Sequence, residues 1–323
     1  AFSNFDDVFN LTAATSTTPV LKKHMENPII TPAMRHGWES MSTFNPAAVY
    51  EGGKVHLLYR AQGDSNTSTL GYATSSDGVT IDERLKEPVY WPTQPFETPG
   101  GVPYHPNIDF MSGGGWGGCE DPRLTKLDDR FYLTYVAYNG RDHPRVALSS
   151  IPVEDFLNRD WSKWATPKLI SPPGVVDKNA CLFPEKVNGK YVMLHRIFPN
   201  ILVDFLDDLE FENGNYLKGE HKISPRENSW DSRKAGAGPP PIKTKDGWLL
   251  IYHAGAMLLD LYDPTKVLFR SNMPVLKPTE WYENEGFKAG VAYPCGAVVV
   301  DNHLYVYYGG ADSYVCVAAR NLD

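Results

Sequence analysis

A pair of neighbouring carboxylates is the group in this chain best suited to acid–base chemistry. Glu120 and Asp121 precede Pro122 and Arg123 at the start of a predicted strand. Asp121 would need a raised pKa to act as a general acid, and charge repulsion from Glu120 could supply it. The alternative is an Asp-Pro-Arg turn that is held by an internal ion pair. The segment therefore predicts either a general acid or a structural turn.

Basic residues end several of the predicted strands. The residues at equivalent strand ends are Arg60, Val136, Arg196, His253 and Gly309. Strand structure alone requires only apolar or small residues there, so the two arginines and the histidine indicate an anion site if these ends converge. A structural ring of salt bridges is the alternative.

A unit that repeats five times must position these candidates. Each copy has a proline, a short apolar run, a polar turn and an apolar strand. The turns are Gly52-Gly53, Asp128-Asp129, Asn188-Gly189, Asp246-Gly247 and Asp301-Asn302, and the prolines are Pro46, Pro122, Pro184, Pro240 and Pro294. These turn residues tolerate the positive φ of a hairpin. The strands after the turns cover 55–60, 131–136, 191–196, 248–253 and 304–309, and a third strand follows each. The repeat predicts an all-β fold, a five-bladed β-propeller, in which equivalent strand ends meet at one mouth of a central channel.

The repeat also sets the predicted domain boundaries. Residues 44–323 are predicted to form a single five-bladed propeller that carries the site, and residues 1–43 an N-terminal extension. Pro28 and Pro32 flank a short apolar segment of that extension, which we expect to pair with the last blade and close the ring. Short helical turns are predicted around 153–157 and 279–285.

A long insertion and a short connection interrupt the repeat. The insertion, 87–118, is rich in Gly, Pro and aromatic residues, namely Tyr90, Trp91, Phe96, Tyr104, Phe110 and Trp116. Loops of this length are usually functional, so these rings either bind sugar or cap the propeller. In the fourth unit, His253 runs directly into Ala254-Gly255-Ala256 without the loop that the other units have.

Composition excludes several classes of function. The formal net charge of −8 argues against nucleic-acid binding, and no apolar run is long enough to span a bilayer. The four cysteines, Cys119, Cys181, Cys295 and Cys316, lack zinc-site spacing and are interpreted as reduced packing residues. The histidines do not pair at ligand spacing either, so no metal or other cofactor is predicted.

Five blocks of this chain form a recognisable set when they are taken together. They are Gly118-Cys119-Glu120-Asp121-Pro122-Arg123, Leu182-Phe183-Pro184-Glu185-Lys186, Met193-Leu194-His195-Arg196, Ala235-Gly236-Ala237-Gly238-Pro239-Pro240 and Tyr308-Gly309-Gly310-Ala311-Asp312. The set resembles glycoside hydrolase family 130, the mannoside phosphorylases and related β-mannosidases with a five-bladed β-propeller, and the resemblance covers nearly the whole chain from Asn27. The segments Asp177-Lys178-Asn179-Ala180 and Pro199-Asn200-Ile201 are most similar to members that act on β-1,2-linked mannosides.

The resemblance implies a role for each matching residue. Asp121 would be the general acid. The mannose would be held by Asn45, Arg60, Arg123 and Asp312, and phosphate by Arg145, Arg196, Lys234 and His253. Phosphate is itself an anionic nucleophile, so a phosphorylase needs one acid and a cationic cradle.

The chain departs from the phosphorylase pattern in two places. The phosphorylases usually carry a tyrosine in the loop after the His253 position, and His143-Pro144 precedes Arg145 where small or amide residues are expected. A hydrolase of this family would need a base about 6.5–9.5 Å from the acid. Glu227, Glu283 and Glu285 are the candidate bases, and phosphorolysis and hydrolysis both stay open.

The predicted function is inverting cleavage of β-mannosidic bonds of manno-oligosaccharides, with phosphorolysis to α-mannose 1-phosphate ahead of a phosphate-independent β-mannosidase. Inorganic phosphate is then the co-substrate. A fructosidase is disfavoured because Asn45-Pro46 lacks the Asn-Asp-Pro motif, and a non-catalytic glycan-binding propeller would have featureless inner strand ends. We expect a cytoplasmic protein if it is a phosphorylase and a periplasmic or exported one if it is a hydrolase. A homo-oligomer is compatible with the sequence.

Overall fold

The computed structural model describes residues 21–98 and 106–322, whose strands form three four-stranded sheets and one eight-stranded sheet. The eight-stranded sheet has two antiparallel halves, joined only by the parallel pairs Thr67 with Gly117 and Ser68 with Gly118. Counting each half separately gives five antiparallel units of four strands. Unit 1 contains β2 (Ser42–Glu51), β3 (Lys54–Gln62), β4 (Thr67–Ser75) and β5 (Glu83–Arg84), and unit 2 contains β6 (Gly117–Leu127), β7 (Arg130–Tyr138), β8 (Arg145–Pro152) and β9 (Lys168–Leu169). Unit 3 contains β10 (Asp177–Leu182), β11 (Tyr191–Ile197), β12 (Asn200–Leu206) and β13 (His221–Ile223), and unit 4 contains β14 (Ile242–Lys243), β15 (Trp248–Tyr252), β16 (Gly255–Leu259) and β17 (Val267–Arg270). Unit 5 contains β18 (Ala292–Val300), β19 (His303–Gly310), β20 (Tyr314–Asn321) and β1 (Lys22–Lys23). The predicted all-β fold is confirmed.

The fourth strand of unit 5 comes from the N-terminal segment. Lys22 pairs with Ala319, and Ile30 forms an isolated bridge with Val315. Asn27 donates from its side-chain amide to the carbonyl of Val317 and accepts from the Val317 amide, both at 2.8 Å. The two ends of the described chain are therefore joined in one sheet.

Five apolar clusters form the core, and each lies between two units. Leu58 packs with Leu133 between units 1 and 2. Between units 2 and 3, Val146 packs with Leu182 and Met193. The clusters between units 3 and 4 and between units 4 and 5 include the pairs Leu194 with Leu250 and Leu258 with Val306. A fifth cluster, with Leu57 and Tyr307, joins unit 5 to unit 1. Each unit thus buries both faces of its sheet against neighbours.

A β-bulge interrupts the first strand of four units. The register shifts between Phe44 and Ala47, Glu120 and Arg123, Lys178 and Cys181, and Pro294 and Gly296. In units 1 to 3 the bulged residues Asn45, Asp121 and Asn179 have φ of 49°, 50° and 59°. Asn and Asp tolerate this left-handed region better than most residues, and a bulge re-aims the side chain that it carries.

The bulges correct one part of the predicted repeat. Asn179-Ala180 occupies in unit 3 the place of Asn45-Pro46 and Asp121-Pro122, because Lys178 pairs with Arg196 as Phe44 pairs with Arg60. Pro184 lies beyond the end of β10. The prediction that Pro184 marks the equivalent position was wrong, since in unit 3 an alanine follows the bulged residue.

The remaining elements are short. One α-helix, α1, covers Val153–Leu157, as predicted, and 3-10 turns cover Gly37–Glu39, Trp161–Lys163 and Trp281–Glu283. The last of these lies inside the predicted segment 279–285. All four cysteines are free and buried, which confirms their interpretation as packing residues. None of the helices in the described ranges has the length and apolar character needed to cross a membrane.

Candidate active site

A cavity of about 830 Å³ is lined by side chains from all five units. This volume is within the range of sites for small molecules. The bulges contribute Asn45, Asp121 and Asn179 to its wall, and β18 contributes Tyr293. Six of the sequence-predicted site residues line the cavity. They are Asn45, Asp121, Arg196, Lys234, His253 and Asp312.

The carboxyl group of Asp121 is held in place by two donors. Asn45 donates to its Oδ1 at 2.7 Å, and Arg60 donates from Nη1 to the same oxygen at 3.1 Å. Arg60 is fully buried and also donates from Nη2 to Glu120 at 2.9 Å. Glycine at 309 leaves room for this arrangement, because a Cβ there would lie 2.0 Å from Oδ1 of Asn45.

The pKa of Asp121 is lower than its ordinary value in the free protein. Burial acts to raise it, but Arg60 and the Asn45 hydrogen bond, with Arg123 and Lys178, outweigh burial. The prediction that Glu120 raises the pKa of Asp121 is wrong, because Arg60 lies between the two carboxylates and lowers it. The raised pKa values belong instead to Glu120, chiefly by burial, and to Asp312, by burial and by the charge of Asp121.

Two predicted sugar-binding arginines lie behind the cavity wall. The guanidinium of Arg60 donates hydrogen bonds to Asp121, Glu120, Ser68 and the carbonyl of Ser112. Arg123 is 1% exposed and donates to the carbonyls of Gly238 and Asp121, at 2.5 and 2.8 Å. The prediction that either guanidinium contacts sugar is therefore corrected. Both arginines support Asp121, and Arg123 also binds the neighbouring unit.

Basic side chains gather on another part of the cavity wall. Arg196, Lys234 and His253 are there as predicted, and the structure adds Lys178 and Lys288. Within residues 21–98 and 106–322, the side chains of Arg196, Lys234 and Lys288 form no ion pair with a carboxylate. Lys178 lies 4.0 Å from Glu120. This wall therefore carries positive charge that the described protein leaves uncompensated.

The mutual repulsion of these groups changes their protonation. Burial and then Arg196 lower the pKa of Lys234 to about 8. Burial, Lys234 and Arg196 lower the pKa of His253 to about 4, so its ring is neutral at pH 7 and can still donate one hydrogen bond. An anion bound here would relieve the repulsion.

Arg145 is not part of this group. It lines a separate pocket of about 310 Å³ with His143. Its Nε and Nη2 both donate to the carbonyl of Ser171, and its guanidinium lies 5.0 Å from the centre of the Tyr216 ring. The predicted phosphate contact of Arg145 is corrected, because the residue lies outside the cavity that holds Arg196, Lys234 and His253 and its guanidinium binds the carbonyl of Ser171.

The three candidate bases lie outside the cavity wall. Glu227 and Glu285 are exposed. Glu283 is fully buried and binds Lys23 Nζ at 2.5 Å, the Tyr308 hydroxyl at 2.9 Å and the Glu280 amide at 2.8 Å. Glu283 is therefore corrected to a structural anchor for the N-terminal strand. The base role of Glu227 and Glu285 stays a prediction.

The long insertion both packs against unit 2 and reaches the cavity. Tyr90 packs edge-on against Tyr135, and buried Glu97 accepts from the amides of Thr93 and Gln94 at 2.7 and 2.8 Å. Phe110 and the segment 111–113 line the cavity. Tyr104 lies outside the described residues. Tyr90 therefore has a packing role, whereas sugar binding stays a prediction for Phe110, which lines the cavity.

The fourth unit joins its second and third strands by a two-residue hairpin, as the third unit does between Ile197 and Asn200. The prediction that every other unit has a loop there was therefore wrong for unit 3, whereas units 1, 2 and 5 have longer connections. Tyr252 pairs with Gly255, so His253 and Ala254 alone make the turn, and His253 has φ of 48°. The loop is therefore absent from this chain. Trp230 and Phe287 also line the cavity, and sequence reasoning missed them because they lie outside the repeat.

Sequence reasoning also missed Lys178 and Asn179 as cavity residues. Both would be found by aligning the strand 191–196 with the strand before it, since Lys178 pairs with Arg196. Comparison with known proteins now adds to this geometry. The family model described as β-1,4-mannooligosaccharide phosphorylase matches residues 20–323. This chain belongs to glycoside hydrolase family 130.

Individual members of family 130 are similar over nearly the whole chain. The 1,2-β-oligomannan phosphorylase of Thermoanaerobacter sp. (strain X514) is 38% identical, covering 92% of this chain and 96% of the relative. The structure of β-1,2-mannobiose phosphorylase from Listeria innocua, in complex with β-1,2-mannobiose, superposes with a TM-score of 0.75 at 25% identity, over 94% of this chain and 97% of that one. A glycosyl hydrolase from Bacteroides ovatus superposes with a TM-score of 0.74 at 29% identity, over 93% of each chain.

Proposed function

We propose that this protein is an inverting β-mannoside phosphorylase that cleaves manno-oligosaccharides, preferentially β-1,2-linked ones, to α-mannose 1-phosphate. The observation that carries the proposal is the uncompensated positive wall of Arg196, Lys234 and Lys288, which shares one cavity with the carboxyl group of Asp121. The phosphorylases similar to this chain support the same reaction.

The reaction needs one proton and one nucleophile. Protonated Asp121 gives its proton to the glycosidic oxygen, directly or through a sugar hydroxyl, as the bond from that oxygen to the anomeric carbon breaks. A phosphate oxygen attacks the opposite face of that carbon and forms the new bond, which inverts the configuration. No second carboxylate is required, because phosphate already carries the negative charge that a base would have to generate in water.

The positions of the other residues suit this division of work. Asn45 and Asp312 line the cavity beside Asp121 and offer an amide and a carboxylate to sugar hydroxyls. Arg196 and Lys234 offer the donors that phosphate oxygens prefer, and the neutral ring of His253 adds a further donor. A phosphate bound among them would also lower the cost of holding these cations together.

We further propose that the five units are the blades of one closed five-bladed propeller. The apolar cluster between units 5 and 1 supports ring closure, as does the pairing of β1 with β20. Contacts between the first strands of units 1 and 2, 2 and 3, and 5 and 1 support a common axis. The bulges in these strands would then aim their polar residues at one mouth of the channel.

A second candidate, a phosphate-independent β-mannosidase, has two observations in its favour. The two-residue hairpin at His253 removes the loop that carries a tyrosine in the phosphorylases that the sequence resembles, and the Bacteroides ovatus glycosyl hydrolase is similar in fold and sequence. The cavity wall of the described residues offers Asp109, Asp231 and Asp312 as carboxylates besides Asp121. Asp231 is engaged by Arg226 and the Tyr252 hydroxyl, which leaves it a poor base.

The deciding experiment measures products with and without phosphate. The enzyme is incubated with β-1,2- and β-1,4-mannobiose, and α-mannose 1-phosphate and free mannose are quantified separately. We expect sugar phosphate and one free mannose per bond cleaved, with negligible turnover when phosphate is omitted. Equal turnover without phosphate, giving two mannoses per bond, would instead establish the hydrolase. An Arg196→Ala variant should lose phosphorolysis, because it lacks one of the proposed phosphate donors.

Phosphorolysis also bears on compartment. A charged sugar phosphate is useful to the cell only if a membrane keeps it inside. We therefore propose a cytoplasmic location. Fractionation of the source cells tests this, and activity recovered from the medium or periplasm would contradict it.

A further inference from the structure

A buried cluster of three ionisable side chains lies in unit 3, on the strands that carry two cavity cations. Nδ1 of His195 lies 2.7 Å from Oδ2 of Asp177, and Nε2 lies 3.2 Å from Oδ2 of Asp204. His195 and Asp177 have no exposed side-chain area, and Asp204 has 3%. We call these three residues the histidine cluster. The proposed chemistry does not use any of them.

The histidine cluster connects three strands of unit 3 and the segment that leads into the fourth. Asp177 is on β10, His195 on β11 and Asp204 on β12. Asp204 also accepts from the amides of residues 218, 219 and 220, at 2.8, 3.0 and 3.0 Å, just before β13. The cluster therefore fixes how β10, β11 and β12 lie relative to one another in the layer behind the cavity.

The imidazole is held in its charged form by this environment. Burial acts to lower the pKa of His195, but hydrogen bonds to Asp177 and Asp204 and their charges raise it to about 9. With the imidazole protonated, both ring nitrogens donate, and each meets a carboxylate. The three groups then carry one net negative charge. Oδ1 of Asp177 has no hydrogen-bond partner among the described residues, so part of that charge stays uncompensated.

The cations beside the cluster need such support. Lys178 and Arg196 are direct cross-strand partners in β10 and β11, and both line the cavity. Like charges directly opposite one another destabilise a sheet. Each cation follows a cluster residue in sequence, Asp177 before Lys178 and His195 before Arg196. Since neighbouring residues in a strand point to opposite faces, the cluster occupies one side of these strands while the cations point into the cavity from the other.

We infer that His195 is a positioning residue for the anion-binding wall, and that it acts by bridging Asp177 and Asp204 as a charged imidazole so that Lys178 and Arg196 stay side by side. This inference rests on the proposed function, because it takes phosphate as the anion. A neutral side chain at 195 leaves two buried carboxylates facing one another without a cation. Their repulsion moves β10 against β11, and the spacing of the two cavity cations changes with it.

The test compares His195→Gln with a matched control, His56→Gln. His56 is also buried and makes two hydrogen bonds, to the Tyr72 hydroxyl at 2.7 Å and the Glu51 carbonyl at 3.1 Å, but it does not line the cavity. For each protein we would measure KM for phosphate, KM for β-1,2-mannobiose, kcat at saturating phosphate, and the rise in Tm that phosphate causes. A displacement of about 1 Å at a binding group can cost on the order of a hundredfold.

We expect His195→Gln to raise KM for phosphate roughly tenfold or more on that basis, to reduce the phosphate-induced rise in Tm, and to change KM for mannobiose little. His56→Gln should lower Tm without changing KM for phosphate. If His195→Gln does not fold, Asp204→Asn provides the same comparison. An unchanged KM for phosphate in a folded variant overturns the inference, whereas a wild-type enzyme that neither uses nor binds phosphate overturns the proposed function first.

A measurement on the wild-type enzyme tests the charge of His195 without any variant. Imidazole ¹⁵N chemical shifts at pH 7.5, assigned by comparison with the His195→Gln or Asp204→Asn spectrum, should show both nitrogens of His195 protonated. A neutral imidazole at that pH would overturn the bridging role.

Discussion

Arg60 places one guanidinium between two adjacent carboxylates, with Nη1 3.1 Å from Oδ1 of Asp121 and Nη2 2.9 Å from Oε1 of Glu120. Both contacts are shielded from solvent, so neither carboxylate can be treated as an isolated acid. In the free protein Asp121 is the one kept ionised. Under the proposed mechanism, bound substrate must therefore shift the proton equilibrium of Asp121, and covering its carboxyl group would raise its pKa.

The first prediction concerns Asp121 itself. Asp121→Asn keeps the shape of the side chain and removes the transferable proton, so we expect kcat on β-1,2-mannobiose to fall about 10²- to 10⁴-fold, the usual contribution of a general acid. Turnover of an aryl β-mannoside with a good leaving group should fall much less, since departure of that group needs no proton. Equal losses on the two substrates would show that Asp121 has another role.

The second prediction concerns the pH dependence of the acid. The Asn45 hydrogen bond favours the ionised form of Asp121 and so lowers its pKa. Asn45→Gly removes that bond and keeps a residue that tolerates φ of 49°. Because the acid must be protonated, the decline of kcat/KM at high pH should move to higher pH in the variant. The profile of kcat/KM against pH measures this, whatever the loss in absolute rate. A decline of kcat/KM at unchanged pH would show that another group causes it.

The elements of this fold could be predicted because each carries a local signal. A polar turn followed by an apolar strand specifies the second strand of every unit, and Val153–Leu157 forms the predicted helix. The positions Asn45, Asp121, Arg196, Lys234, His253 and Asp312 could be placed together, partly from the repeat and partly from family resemblance. All of them line one cavity.

The errors arose where a side chain's surroundings depend on register and packing. A proline marks the bulge in unit 1 but not in unit 3, where Asn179-Ala180 takes its place, so Lys178 was overlooked. Arg145 and Glu283 carry suitable charges, yet their strands and turns direct them to Ser171 and to Lys23. Charge type is visible in a sequence, whereas the partner that satisfies the charge depends on three-dimensional contacts.

The third prediction tests the cost of the positive wall. Lys234 has a pKa of about 8 in the folded protein and about 10.4 when unfolded, so folding is penalised at pH 7, where both states are protonated. The penalty fades as pH rises from about 8 towards 10.4. Lys234→Met should therefore raise the unfolding free energy at pH 7 by on the order of 1 kcal/mol, while abolishing phosphorolysis.

The measurement is Tm at pH 7 and at pH 9.5. The gain from Lys234→Met should be larger at pH 7, and phosphate should stabilise the wild type more than the variant. Lys86→Met, at an exposed lysine outside the cavity wall, is the control and should change Tm little. A loss of stability at pH 7 in Lys234→Met would show that the lysine has a favourable partner in the folded protein.

The fourth prediction separates structure from catalysis at Glu283. This carboxylate accepts from Lys23, Tyr308 and the Glu280 amide, and it has no exposed side-chain area. Glu283→Gln removes the negative charge beside partly buried Lys23, so we expect a loss of roughly 1–3 kcal/mol in unfolding free energy. The ratio of α-mannose 1-phosphate to free mannose should stay as in the wild type, because the group lies outside the cavity wall. Glu285→Gln, at an exposed position on the same turn, should alter neither quantity. A Glu283→Gln enzyme of unchanged Tm that has lost turnover would contradict the structural role and make Glu283 a candidate base again.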